Sequence, residues 1–426
     1  MSAVANESFL RAILEDPKND LPRLAYADWL DEQGDPRGEL IRVQCELSPL
    51  TEEDERFRPL YKREQALLKL YKNEWLGPLA DWVQNAQFSR GFVENITLGA
   101  NQFLERKQQI FSLTPIRGLK LTGMTTTHVT KFRTAPECSR LRDLTLNIRK
   151  MTDLRWEKLI TAPRLASLKK LQINWMGMDM HHLNSLTELS ARGLQEFDFA
   201  FRERCWPWTF WDWGVLFRSG VLSNLRSTGI HVNDLKHDFI QGVLSSTRFP
   251  YLQSLTVDHP YFGYGYETRR KRKAFQWLGD HPRFRELRSL NLSLRGLTSS
   301  RSIVSLLFPQ PDAMQTERLQ LAVAPMNADD ANRIAQMSRL TTLRLEHGKL
   351  GDEGVSILAN SERLQNLRVL SLVDNELTDK SARTILESPY WNDLVILDLS
   401  RNALSKETKK ALRKRFGTGV CKFGRS

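Results

Sequence analysis

Cysteine is scarce: there are 4 in 426 residues, Cys45, Cys138, Cys205 and Cys421, and no two form a CxxC pair. That spacing excludes a disulfide framework and a thiolate zinc cluster, and leaves isolated cysteines the role of small buried hydrophobes. Long apolar runs are absent too. No stretch approaches the ~18 residues of a membrane span, although 41% of the residues are hydrophobic. Residues 1–8 hold neither a basic n-region nor an apolar h-region, so a cytoplasmic protein without a secretion signal is expected. Catalytic signatures are missing as well. The chain has no HExxH, no GxSxG, no P-loop, no GxGxxG after a strand, and no Cys and His at zinc spacing. His181 and His182 are adjacent and point apart on a helix, and His231 and His237 fall in an irregular stretch. The expectation is a protein that is not an enzyme and holds no cofactor or metal.

What is abundant is charge. Lys and Arg number 62 against 50 Asp and Glu, a net of +12. The distribution is uneven: residues 1–60 hold 7 basic and 14 acidic residues, which leaves a net of +19 for the remainder. An acidic head on a basic body is compatible with a nucleic-acid or anionic partner, and equally with solubility and intramolecular attraction.

The pattern that organises the chain lies near its end. Leu340-Thr-Thr-Leu343-Arg-Leu345, Leu367-Arg-Val-Leu370-Ser-Leu372 and Leu394-Val-Ile-Leu397-Asp-Leu399 share one LxxLxL frame, with Leu343, Leu370 and Leu397 spaced by 27 residues. Alternation within LxL reads as a short strand, and the helical spacing of Val355 and Leu358, or Ala382, Ile385 and Leu386, reads as a return helix. One such unit cannot bury its own leucines, so stacked neighbours are required. The pattern resembles the ribonuclease-inhibitor-like class of leucine-rich repeats. That resemblance implies an α/β solenoid, a horseshoe with a parallel concave sheet and convex helices. Further strand-like segments at 90–98, 116–121, 141–146, 168–173, 194–199, 252–257, 287–292 and 318–321, with a degenerate one at 225–232, bring the count to about a dozen.

Ahead of the array, Phe9, Leu10, Ile13 and Leu14, then Leu24, Ala25, Trp29 and Leu30, then Leu40, Val43, Gln44 and Leu47 mark three amphipathic helices. The string YADWL…GDPRGE…IRVQCEL within residues 5–50 is similar to the bacterial repeat-companion domain. This resemblance implies a helical N-terminal cap in a bacterial cytoplasmic setting and carries no activity. Asp28, Arg37 and Glu39 in this string read as ion pairs or caps that fix the Gly-Asp-Pro-Arg-Gly turn. The expected organisation is a companion domain at 1–50, a helical connector and cap at 51–87, the repeat array at 88–405 and a basic tail at 406–426.

Two segments break the period. Residues 206–213 hold four tryptophans, and the stretch with Tyr261, Phe262, Tyr264 and Tyr266 runs into Arg269, Arg270, Lys271, Arg272 and Lys273. Clustered aromatics and arginine are the residues of interface hot spots, whereas tryptophans also fill the outer layer of irregular repeats and a basic run also forms a solvated helix face. Between the inward leucines, the residues expected on the concave side carry Lys170, Arg318 and Arg344 against six acidic groups, so the positive charge is not there. The function expected is a non-catalytic scaffold that binds another protein. Its candidate contacts are the Tyr261–Lys273 stretch with Asp258, Asn291, Arg318 and Arg344 of the sheet. The alternatives are a nucleic-acid or anionic-surface binder acting through outer basic segments, and a regulator of an enzyme such as a small GTPase. No membrane partner is expected.

Overall fold

The computed structural model describes residues 2–175, 177–178, 180–200, 215–217, 219–231, 237–259, 275–294, 303–323 and 325–424. The tryptophan segment at 206–213 and the aromatic and basic stretch at 261–273 lie outside these residues. The chain divides into two compact units, residues 1–200 with 219–224, and residues 201–218 with 225–426.

The first unit opens with α1 (Ser2–Glu15), α2 (Leu21–Glu32), α3 (Arg37–Leu47), α4 (Phe57–Leu76) and α5 (Leu79–Trp82). Pro22 sits in the first turn of α2, where its missing N–H costs nothing. A Cβ at Gly38 would lie 2.8 Å from the Ala27 carbonyl, so the missing side chain is what lets α3 approach α2. The apolar stripes meet in a core of Ile13, Tyr26, Ala27, Leu30, Ile41 and Cys45 that closes on Phe92, a residue of the following sheet.

That sheet begins with a hairpin, β1 (Asn85–Ser89) against β2 (Phe92–Gly99). Sequence reading placed residues 85–87 in a helical connector and began the first strand at residue 90. Asn-Ala-Gln carries little strand propensity, and pairing with β2 overrides it. The two-residue loop has positive φ at both Arg90 (50°) and Gly91 (83°), the twist a tight hairpin requires. For a non-glycine residue this costs roughly 1–2 kcal/mol, and the head holds Arg90 in place. Its guanidinium donates to Glu94 at 2.9 Å, to Asp20 at 3.2 Å and to the Lys18 carbonyl at 3.0 Å. Arg23, fully buried, donates to Glu94 at 2.6 Å and to the Arg90 carbonyl at 3.0 Å. Gln44 accepts from the Gly91 N–H at 2.7 Å, and Arg37 lies 4.8 Å over the Phe92 ring. The motif residues of the head therefore grip the hairpin loop. Asp28 pairs with Arg42 and Glu39 with Arg63, fixing α3 to its neighbours.

From β2 onward the strands are parallel: β3 (Gly118–Thr125), β4 (Asp143–Lys150), β5 (Lys170–Trp175) and β6 (Glu196–Ala200). Ile96, Leu119, Leu144, Leu171 and Phe197 stand in register, as do Leu98, Leu121, Leu146, Ile173 and Phe199. All ten are at most 3% exposed, which is the continuous core that stacked repeats require. The returning segments include α6 (Ala100–Leu113), α7 (Val129–Thr134), α8 (Asp153–Ile160) and α9 (Met180–Ser185).

The second unit repeats the plan with eight strands. These are β7 (Ser227–His231), β8 (Ser254–His259), β9 (Ser289–Leu294), β10 (Arg318–Ala322), β11 (Thr342–Leu345), β12 (Val369–Ser371), β13 (Ile396–Asp398) and β14 (Cys421–Lys422), all parallel. Leu255, Leu290, Leu319, Leu343, Leu370 and Leu397 align across it, each buried. After the strands, His347, Asp374 and Arg401 adopt positive φ (56°, 56° and 59°) at the 27-residue period. Buried Asn375 closes this turn by donating to the Leu345 and Val373 carbonyls and accepting from the Gly348 and Leu350 N–H groups. Asn402, 27 residues on, accepts from the N–H groups of Asn375 and Leu377. Residues 406–424, read from sequence as a basic tail, form the helix Lys406–Phe416 and strand β14, one more turn of the array. Among the described residues no helix is long and apolar enough to cross a membrane.

Candidate functional site: the polar sheet face of the first unit

Alternation turns every second strand residue away from the leucine core. In the first unit this gives one row of Asn95, Gly118, Asp143, Lys170 and Glu196, and a second of Thr97, Lys120, Thr145, Gln172 and Asp198. The rows border a depression of about 480 Å³ lined by Asn85, Gln87, Asn95, Thr97, Gly118, Lys120, Asp143, Thr145, Lys170 and Gln172, with Ile96 and Leu119 in its floor. The volume falls within the range of ligand pockets.

The lining is rich in amides and hydroxyls. Asn174 donates to Asn147 at 2.6 Å, and Thr145 lies 3.5 Å from the Gln172 carbonyl oxygen. Lys170 donates to Glu196 at 2.5 Å. Burial opposes the Lys170 ammonium, but that hydrogen bond and the charges of Glu196, Asp198 and Asp143 together raise its pKa above the usual lysine value. Burial, reinforced by Glu196, pushes the Asp143 carboxyl above its ordinary range despite Lys170, Arg117 and Arg142. Each amide presents a donor and an acceptor at strand spacing, the complement of an extended polypeptide backbone. Among the described residues, no group of three or more His, Cys, Asp and Glu is placed to hold a metal ion.

Of the residues singled out from sequence, Asp258, Asn291, Arg318 and Arg344 fall on β8, β9, β10 and β11 of the second unit. Asn291 pairs with Gln320, and Gln320 with Arg344, so these share a row, while Arg318 stands one row away beside Ser289 and Thr342. Asp258 pairs with Ser293 in a third row. Further along, Thr342, Val369, Ser371 and Ile396, which strand alternation places on the concave side, are at most 4% exposed. Their side chains are short, and strands about 4.8 Å away on both sides close over them. Tyr261, Phe262, Tyr264, Tyr266, Arg269, Arg270, Lys271, Arg272 and Lys273 are outside the described residues.

Sequence reasoning missed Asn85, Gln87, Asn95, Thr97, Gly118 and Lys120. The last two were within reach, because the alternation of Leu119 and Leu121 already puts residues 118 and 120 on the polar side. Asn85 and Gln87 gave no such signal.

No protein-family model matches the chain, and no curated protein matches it. Among solved structures, it is similar to a leucine-rich repeat protein of Leptospira interrogans at 13% identity and a TM-score of 0.33, over 78% of this chain and 90% of that one. The leucine-rich repeat character of this chain is read from its own 27-residue frame and the in-register leucine ladders built on it.

Proposed function

We propose that the chain is a non-catalytic scaffold that binds an extended segment of another protein across the polar sheet face of its first unit. The carrying observation is the depression over β1 to β5, whose amide and hydroxyl lining matches a peptide backbone and whose charges largely balance. Strands α-helically backed and locked in register supply a rigid platform, which lowers the ordering cost of binding. The helical head acts as the cap of the first repeat in this reading, supported by its grip on Arg90, Gly91 and Phe92. Its likeness to a repeat-companion domain fits that role in a bacterial cytoplasm.

A second reading has one observation in its favour. The helix Lys406–Phe416 exposes Lys406, Lys410, Arg413 and Lys414 at i, i+4, i+7 and i+8, a basic stripe suited to nucleic acid or another polyanion.

Affinity capture from the native cytoplasm with nuclease treatment separates the two. The scaffold reading expects a protein partner that survives nuclease, is lost with Thr145→Arg, and is kept with the double substitution Lys410→Glu and Lys414→Glu. Loss on nuclease treatment, or on the Lys410 and Lys414 substitutions alone, would transfer the function to the basic helix.

A further inference from the structure

Resting on the reading of this face as a protein-binding surface, we propose that the depression over Gly118 receives a basic side chain of the bound segment, seated on the Asp143 carboxylate. The row from β2 to β5 runs Asn95, Gly118, Asp143, Lys170, and the residue without a side chain leaves a notch beside the carboxylate. A Cβ at position 118 would lie 1.7 Å from Asn95 Oδ1, so the Asn95 amide itself fills that notch and presents its oxygen beside the glycine in the depression. A cation entering the depression beside it meets one carboxylate and one neutral acceptor.

Asp143 is open to such a partner. Lys170, its neighbour on β5, is committed to Glu196 at 2.5 Å, and Arg142 donates to the Ser139 and Leu141 carbonyls. Among the described residues the Asp143 carboxylate accepts no hydrogen bond and makes no ion pair. A half-buried carboxylate that Lys170, Arg117 and Arg142 act on without a direct ion pair is unfavourable for the protein alone, and a guanidinium or ammonium from outside supplies the direct pair. Lys120, exposed on β3, is a competing cation of the same depression and disfavours a partner with two adjacent basic groups.

The test is selection of a random nonapeptide display library on the immobilised full chain, followed by binding of the selected peptides to variants. Peptides that Thr145→Arg blocks are those bound to this face. They are expected to share an Arg or Lys at one position, and to bind Asp143→Asn at least about tenfold more weakly. Citrulline or norleucine at that position should weaken binding equally and abolish the effect of Asp143→Asn, while Lys120→Ala should leave affinity equal or higher. Asp143→Asn is nearly isosteric, and a thermal midpoint no lower than wild type certifies its fold. Face-binding peptides with no shared basic residue, or with equal affinity for Asp143→Asn, overturn this inference and leave the scaffold standing. Absence of any peptide blocked by Thr145→Arg overturns both.

Discussion

Asp143 shows how a single residue can set stability against recognition. Burial is the main cause of its raised pKa, with Glu196 adding to it and Lys170, Arg117 and Arg142 opposing it. The sign follows from linkage: a carboxyl whose folded pKa is raised holds its proton more tightly in the native state, so its ionised form weakens the fold at neutral pH. That penalty shrinks as pH falls through the folded pKa and is nearly gone at about pH 4 and below, where the unfolded carboxyl takes up its proton too. Asp143→Asn should therefore raise the thermal midpoint at pH 7, on the order of a degree, and the gain should vanish near pH 4. Calorimetry of both proteins across that range checks it; a variant less stable at pH 7 would mean that Asp143 already has a stabilising partner within the chain. The buried cluster of Arg23, Arg90 and Glu94 is the opposite case, one carboxylate paired directly with two guanidiniums, of which Arg90 also reaches Asp20. Loss of Glu94, the shared partner, would strand the two guanidiniums at a cost of about 3–5 kcal/mol.

At the scale of elements, the repeat is legible wherever leucine marks both rows of the core. Leu343, Leu370 and Leu397 announce their strands because each is flanked by leucines at fixed offsets, and the structure aligns them in one ladder. The same frame, read less strictly, located β7 near residues 225–232. What remained hidden depends on partners distant in sequence. β1 exists because β2 pairs with it, and the missing side chain at Gly118 matters only because Asn95 fills its place from one strand and Asp143 stands beside it on the other. The end of the array was obscured by charge. The helix Lys406–Phe416 reads as a solvated basic run, yet Leu412 is fully buried and Arg415 donates to the carbonyls of Ile385, at 3.0 Å, and Ser388, at 2.6 Å. Those bonds satisfy carbonyls at the end of the helix Asp379–Glu387, as a basic residue near a helix C-terminus can. Leu412→Ala should accordingly cost about 3 kcal/mol in the denaturant unfolding of the second unit. A mobile tail would show no change.

For the molecule as a whole, charge and surface divide the functional possibilities. The basic excess of the chain beyond residue 60 is not concentrated on the polar sheet face of the first unit, where Lys120 and Lys170 stand with Asp143, Glu196 and Asp198. A polyanion would bind there without the dense counterion release that drives such complexes, whereas the proposed polypeptide segment with one basic group would meet amides and one carboxylate that has no direct ion pair. The acidic head is tied to the first strands through Arg23, Gln44 and Arg37, and a grip of that kind holds the platform rigid. The most direct measurement is site-specific photo-crosslinking in the native host cell, with benzoylphenylalanine placed either at Thr145 on the sheet face or at Lys410 on the outer basic helix. A protein adduct of discrete mass from position 145, absent from position 410, is the predicted result. Adducts from position 410 alone, or nucleic acid in place of protein, would contradict the assignment of recognition to this face.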